Sequence, residues 1–522
     1  MHPTQNWDVR KPSVSSRGGV VASQSGTAAR VGAEVLQAGG TAVDAVVATA
    51  LALAAVEPWN SGLGGVGFLV VHEAETARAE VVDFGPIAPH RLDPAAFPLT
   101  GEMRTELFTW PQIEGDRNMH GPLSFAIPGA VQGYALAVER FGRLPWRDLV
   151  RPAVALARGG LPVDWFTTVK VANAAADLRR YEESRRIWLP DGLPPVCPAD
   201  TDNVSLPLGG LAQTLERLAA AGPDDFYHGE IARSIAADTR AAGGVLSAED
   251  LGRYCARIVP ALDIPYRGST LQTAPGMTAG PTLAGVLARL AERRRFVGGS
   301  PDADYFAAVI DALQHAYIKR LQTMGDVEAR PPTSTTHITT VDRQGGFATL
   351  TTTLLSSFGS RCVLPGTGIL MNNGVMWFDP QPGRPNSIGA GKRALTNMCP
   401  VIVARDRRPW FGLGASGGRR IVGAVLQLAS FIIDFGMEPF AAAHHPRVDV
   451  NGSDRIGLDR RLRPDIVERL LAQPGAAVVE HDAFPARFAC PNLVLRDAEG
   501  VNHGITDVMS PWSGAVAEPD RG

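Results

Sequence analysis

Apolar and polar positions alternate along the chain with two distinct periods, one helical and one strand-like. In segment 27–37, Ala28, Val31, Val35 and Leu36 recur at the spacing of one helical face, and Gly39-Gly40 ends the helix. The run Ala42–Val56 is the most apolar in the chain, yet it contains Asp44 and is shorter than the about 20 residues a bilayer span needs. It predicts a buried helix. Segment 68–72 reads as a buried strand, and periodic runs at 149–157, 211–220 and 305–317 predict a mainly helical middle, 146–320, that wraps one face of the sheets. Two hydroxyl-rich runs, 334–342 and the stretch leading through Thr353 to Ser360, flank Gly345-Gly346 as the arms of a β-hairpin would. Segment 409–413 then reads as a strand and 420–435 as a long apolar helix. From about Asp449 onward, strand-like pieces such as 477–480 alternate with turns rich in Pro and Gly. No repeat, coiled coil or low-complexity tract interrupts this order.

Composition narrows the function classes. The 522 residues, 45% of them hydrophobic, suffice for one large core or two ordinary domains. Lys and Arg total 50 against 53 Asp and Glu, a balance too even to recruit nucleic acid or an anionic membrane. The five cysteines, Cys197, Cys255, Cys362, Cys399 and Cys490, lack metal-ligand spacing, and an odd count argues against a secreted disulfide framework. Reduced, buried thiols and no metal are expected. Residues 1–8 lack a basic start followed by an apolar stretch, so a cytoplasmic enzyme without a signal peptide is expected.

The candidate chemistry centres on Thr335. A Thr hydroxyl is a poor nucleophile without an adjacent base, and one solution makes Thr the first residue of a chain so that its own α-amine takes the proton. Such an amine titrates near about 7.7 to 8.0 and is partly free base at neutral pH. Because Thr335 lies inside the encoded chain, this chemistry requires the bond between Ser334 and Thr335 to break, by attack of the Thr hydroxyl on its own preceding carbonyl. From the residues alone, a Thr of an ordinary hairpin remains the competing reading.

Seven motifs follow one another along the chain: Gly39 to Ala45, Val56 to Gly65, Ile127 to Val131, Arg143 to Trp146, Thr335-Thr336-His337, Pro365 to Leu370, and Gly414 to Gly418. Through them the chain resembles, across 18–448, the γ-glutamyltransferase family of N-terminal-nucleophile hydrolases. The resemblance implies an α+β fold, a four-layer αββα sandwich, and self-cleavage before Thr335. Two fragments, 1–334 and 335–522, would stay together as one globular heterodimer, with further oligomerisation left open. No cofactor is implied. The partners would be a small-molecule amide or acyl donor and a water or amine acceptor.

Two glycine motifs invite other readings. Residues 62–67 have the spacing of a dinucleotide fingerprint, but that motif follows a strand and opens a helix, whereas here a helix precedes and a strand follows. A tight turn is expected. Gly414-Ala415-Ser416-Gly417-Gly418 fits the nucleophile elbow of a serine hydrolase, and Asp434 with His481 or His503 would complete a triad in chain order. The resemblance gives the same residues another role, with backbone N–H groups around Gly417 and Gly418 forming an oxyanion hole.

Carried over residue by residue, the resemblance makes Thr335 both nucleophile and base, and Thr353 its hydrogen-bonding partner. His337 is expected to be structural. Asn372-Asn373 also matches the family, and a turn explains it equally well. The substrate pocket departs from the family pattern. Gly85 stands where an arginine would hold the α-carboxylate of a γ-glutamyl group, and Leu355, Gly374 and Trp377 stand at the three polar positions that hold its ammonium. Thr396-Asn397 replaces paired serines. Stranding a charged head without partners costs about 3 to 5 kcal/mol, so a group other than γ-glutamyl is expected in a more apolar pocket. Arg361, where relatives carry a small residue, is either a relocated carboxylate anchor or a surface arginine. Alternatives left open are γ-glutamyl hydrolysis or transfer, carbon–carbon bond hydrolysis through the same acyl-enzyme, a serine hydrolase using Ser416, and an uncleaved acyl-binding protein. Segments 325–334 and 382–392 are shorter than in typical relatives, which predicts an open site and raises the uncleaved alternative.

Overall fold

The computed structural model describes residues 9–76, 78–103, 111–201, 204–293, 296, 299–324, 334–452, 455–484 and 487–519. The helix Ala42–Val56 forms with the predicted bounds. Its single carboxylate explains how so apolar a run starts: the Thr41 side chain accepts from Asp44 N–H, and the Asp44 carboxylate takes the Thr41 N–H at 2.8 Å. The same carboxylate accepts the Arg143 N–H at 2.9 Å, tying a distant turn to the helix start.

Two seven-stranded antiparallel sheets form the centre. One runs Gly514–Ala517, Val20–Ser23, Ser334–Val341, Phe347–Leu355, Val66–His72, Glu80–Phe84, Arg257–Pro260. The other runs Val14–Ser16, Asn502–Thr506, Cys490–Arg496, Arg408–Ser416, Val401–Arg405, Ser269–Thr273, Leu262–Tyr266. Three apolar cores separate four layers. Val20, Ala22, Val66, Phe68, Phe347, Ile402 and Val494 pack between the sheets. The outer face of the first sheet packs against Gly26–Gln37, Ala42–Val56 and the helices between 130 and 253. The outer face of the second is covered by Gly280–Ala291, Ala303–Thr323 and Arg420–Ile433. This is the expected αββα sandwich.

The helical middle does not wrap one face. Strands Arg257–Pro260 and Leu262–Tyr266 form edges of different sheets, so the chain crosses the sandwich at Ala261 and later helices join the opposite layer. Periodicity reports an apolar face but not which sheet it will meet. Residues 62–65 form a turn closed by Gly65 N–H to Gly62 O at 3.0 Å, ahead of the strand Val66–His72, as expected. Segment 476–479 is a strand, paired in parallel with Ile456–Asp459 in a small separate sheet. All five cysteines are free, but Cys197 and Cys255 are exposed and Cys490 half-buried, which corrects the expectation of buried thiols. Among the described residues no helix is long and apolar enough to cross a membrane, and no His, Cys, Asp and Glu cluster could hold a metal. Residues 1–8, and with them the leader expectation, lie outside the described residues, as does most of the short segment before Thr335.

Candidate active site

Thr335 lies near the start of Ser334–Val341, a strand hydrogen-bonded to Phe347–Leu355 along its length and to Val20–Ser23. Register along the hairpin is regular from Thr336↔Thr352 to Val341↔Phe347 and shifts between Ser334 and Thr336, so Thr335 sits in a bulge. Bulges re-aim a side chain. The Thr335 hydroxyl donates to Thr353 Oγ1 at 3.3 Å, and that oxygen also accepts the Leu355 N–H at 2.7 Å. Leu355 has φ 85°, a left-handed backbone that the Thr353 hydroxyl helps to hold.

His337, two residues on, is enclosed between the sheets. Its Nδ1 lies 3.0 Å from Thr351 Oγ1 and its Nε2 2.9 Å from Thr339 Oγ1. The ring packs on Gly414, where an added Cβ would stand 2.2 Å from the imidazole. Burial lowers the His337 pKa to about 3, so the ring is neutral at working pH. Its two partners are hydroxyl groups of its own hairpin, which agrees with a packing role.

The second sheet supplies the facing wall. Strand Arg408–Ser416 ends at Ser416, and Gly417 and Gly418 turn the chain into Arg420–Ile433. Gly417 has φ 138° and Gly418 φ 61°, and a Cβ on Gly417 would meet Ala489 at 2.8 Å. A side chain is excluded there. The Gly417 and Gly418 carbonyls accept from Arg420 and Ile421 N–H at 3.2 and 3.1 Å and so begin the helix. The first N–H groups of a helix have no intrahelical acceptors and form a natural seat for negative charge.

Thr335, Ser416 and Gly417 line one cavity of about 1030 Å³. Gln24, Glu57, Lys170 and Arg361 share its walls, so it is richer in charge than Leu355 and Trp377 had suggested. Neither of those residues, nor Gly374, Gly85, Thr396 or Asn397, lines it. Leu355 and Trp377 are buried in the core between the sheets. A Cβ at Gly85 would stand 2.7 Å from the Phe68 ring, and neighbouring Asp83 is held by Arg257 and Arg393 at 2.7 and 3.1 Å. The Thr396 carbonyl and Asn397 Oδ1 accept from the buried Arg320 at 2.7 and 3.3 Å. Asn372 is fully engaged with the Gly64, Ala126 and Gly374 backbone. Asn373 holds the turn at Ser356 through Ser356 N–H and Oγ. Arg361 does reach the cavity. It has φ 62°, donates to Ser356 Oγ and Gly359 O, and lies 3.7 Å from Asp177.

Among the described residues the expected triad of Ser416, Asp434 and His481 or His503 does not assemble. Ser416 Oγ accepts from the Gln24 amide, while Asp434 caps the far end of the 14-residue helix Arg420–Ile433, about 21 Å along its axis. There it binds Ser430 and Tyr266. His481 lies between Asp459 and Asp507, 3.5 Å from each, and His503 pairs with Asp497 and Ser15. His481 shares the cavity with Ser416, but the acid that chain order offered, Asp434, is out of reach, and the partner of Ser416 Oγ is Gln24.

Glu57, Gln24 and Lys170 carried no site signal in the sequence. Glu57 lies inside a recognised turn motif, yet only the fold brings its carboxylate to the hydroxyl of Thr336, beside Thr335, and to Asn60 Nδ2 at 2.8 Å. Burial raises its pKa to about 7.

Comparison with known proteins agrees with this fold. The γ-glutamyltranspeptidase family profile matches residues 28–333 and 328–510. Glutathione hydrolase proenzyme of Escherichia coli (strain K12) is 30% identical over 559 residues, covering 96% of this chain and 92% of that protein. The chain belongs to the γ-glutamyltranspeptidase family. Acylase ACY 1 proenzyme of Pseudomonas sp. (strain SE83) is 29% identical over 500 residues, covering 89% of this chain and 88% of that one. The crystal structure of cephalosporin acylase from Bacillus halodurans superposes with a TM-score of 0.86 at 24% identity, covering 100% of this chain and 99% of that chain, and so shares the fold. Membership of the γ-glutamyltranspeptidase family makes this chain an enzyme of the amidohydrolase and acyltransferase kind.

Proposed function

We propose that the chain is a self-processing N-terminal-threonine hydrolase or acyltransferase that acts on an amide of a small molecule whose acyl group is not γ-glutamyl. The observation that carries this reading is the Thr335 to Thr353 hydroxyl pair on a cavity that Gly417 also lines. In the maturation step Thr335 Oγ1 attacks the Ser334 carbonyl carbon, the acyl group moves from N to O, and water hydrolyses the ester. Fragments 1–334 and 335–522 result, and Thr335 gains a free α-amine. In turnover that amine takes the hydroxyl proton as Oγ1 attacks the substrate carbonyl. Thr353 keeps the Thr335 side chain in its rotamer, and N–H groups at Gly417 and Gly418 receive the developing oxyanion. Each such donor is worth about 2.7 to 4 kcal/mol in the transition state. The protonated amine then delivers its proton to the leaving nitrogen, and water or an amine resolves the acyl-enzyme.

Against a γ-glutamyl group stand Gly85, whose side-chain space is filled by Phe68, and the core positions of Leu355 and Trp377. None can hold a carboxylate or an ammonium. Thr335→Ala should abolish both fragment formation and amide hydrolysis, and Ser416→Ala should abolish neither. Hydrolysis that survives in Thr335→Ala and disappears in Ser416→Ala would reverse the assignment. A γ-glutamyl 4-nitroanilide should turn over at least tenfold more slowly than a simple acyl anilide.

A further inference from the structure

The charged side chains lining the cavity are nearly all committed to protein partners. Arg180 contacts His120 at 3.3 Å, with Asp177 at 3.9 Å, Arg361 binds Ser356 and Gly359, and Arg420 lies 3.5 Å from Asp449. His481 lies between Asp459 and Asp507. Of the acids, Asp507 is held by Arg447 at 3.0 Å, and Asp164 caps the helix Trp165–Leu178 through Thr167 N–H and takes the Trp512 indole N–H. Glu57 accepts from Thr336 and Asn60.

Among the cavity's described cations Lys170 is the exception. It projects from the helix Trp165–Leu178 into the cavity that contains Thr335, and among the described residues its ammonium has neither a hydrogen bond nor an ion pair. Its contact is the Phe166 ring, 5.1 Å from Nζ to the centroid. That ring is itself fixed, stacked on Trp512 at 3.9 Å and edge-on to Trp59 at 5.8 Å. An aromatic floor thus holds the cation in place without neutralising it. Burial lowers the Lys170 pKa, and the more distant Glu57 carboxylate only partly opposes this. A protein that places a lone ammonium in a cavity beside its nucleophile incurs a desolvation cost that a bound anion would offset.

Resting on the function proposed above, we infer that Lys170 is the seat of a substrate carboxylate, so that the natural substrate is an acid-bearing amide. The carboxylate would lie against Lys170 Nζ with the substrate's apolar chain on Phe166 and Trp512 while its amide carbon lies at Thr335 Oγ1. Two sources of the carboxylate share this chemistry, the far end of the acyl chain and the leaving amine.

Three chromogenic amides of one chain length separate them: a neutral acyl anilide, its analogue ending in a carboxylate on the acyl side, and a neutral acyl amide of an aminobenzoate. Wild type should prefer one acid-bearing probe over the neutral one by roughly 100-fold in kcat/KM, mostly through KM. The probe that gains identifies which half carries the acid. Lys170→Met should collapse that preference to within about threefold, and Lys170→Arg should restore most of it. Fragment formation and thermal unfolding of each variant, followed in parallel, report on folding and maturation. A wild type that self-cleaves and hydrolyses all three probes alike, or a preference that survives in Lys170→Met, overturns the Lys170 assignment and leaves the threonine mechanism standing. A chain that neither self-cleaves nor hydrolyses any probe overturns the mechanism itself.

Discussion

Removing the Thr353 hydroxyl tests the site at its hinge. Thr353→Val keeps the volume and β-branching of the side chain but deletes the oxygen that accepts both Thr335 Oγ1 at 3.3 Å and Leu355 N–H at 2.7 Å. The second loss bears on stability. Thr353 is fully buried and Leu355 nearly so, and an unsatisfied buried N–H costs about 1 to 3 kcal/mol. The first bears on rate. A hydrogen bond between neutral hydroxyls contributes about 0.5 to 1.5 kcal/mol net, and its loss frees the Thr335 rotamer, so processing and kcat should each fall roughly tenfold. Thr353→Ser keeps the oxygen and should lose less than about threefold. The assay is a time course of the fragment beginning at Thr335, on denaturing gels, together with single-turnover hydrolysis of an acyl anilide. A valine variant that matures and turns over at the wild-type rate would show that Thr353 is an ordinary strand residue with no part in positioning Thr335.

Three further outcomes follow from the same geometry. Gly414→Ala places a Cβ 2.2 Å from the His337 ring between two sheets and should destabilise the chain by about 1 to 3 kcal/mol, read as a lower chemical-denaturation midpoint. For Glu57, the folded carboxyl titrates near 7 against an ordinary 4.5. The folded chain therefore holds a proton that the unfolded chain has released between those values, and stability falls as pH rises through that window, by about 3 kcal/mol in all. Glu57→Gln should flatten the dependence of unfolding free energy on pH between 5 and 7, and an unchanged slope would count against the assignment. Gly417→Ala should cost at least about 100-fold in kcat, since it forces φ 138° on a residue with a Cβ and pushes Ala489 away; near-normal turnover would remove Gly417 from the oxyanion site.

Much of this fold was legible because its elements have strong local signals. The helix Ala42–Val56 announces itself by a long apolar run, and the Thr hairpin by alternation around Gly345-Gly346. The Gly417-Gly418 turn was visible for the same reason, since only glycine adopts those dihedral angles without strain. Features that depend on packing between distant segments were not visible. Nothing in the sequence distinguishes the helices that cover one sheet from those that cover the other. Leu355 and Trp377, aligned with pocket positions, turned out to fill the core between the sheets. Lys170 is one of several cations on amphipathic helices in the middle of the chain, and its place on the cavity that Thr335 also lines arises only when the Trp165–Leu178 helix packs there.

The central claim is that the nucleophile is a residue released at a new chain start. N-terminal sequencing of both bands from catalytically active, purified protein tests it directly. The smaller fragment should begin Thr335-Thr336-His337, with activity rising in step with its appearance. Full activity in a preparation that consists of intact 522-residue chain would contradict the claim.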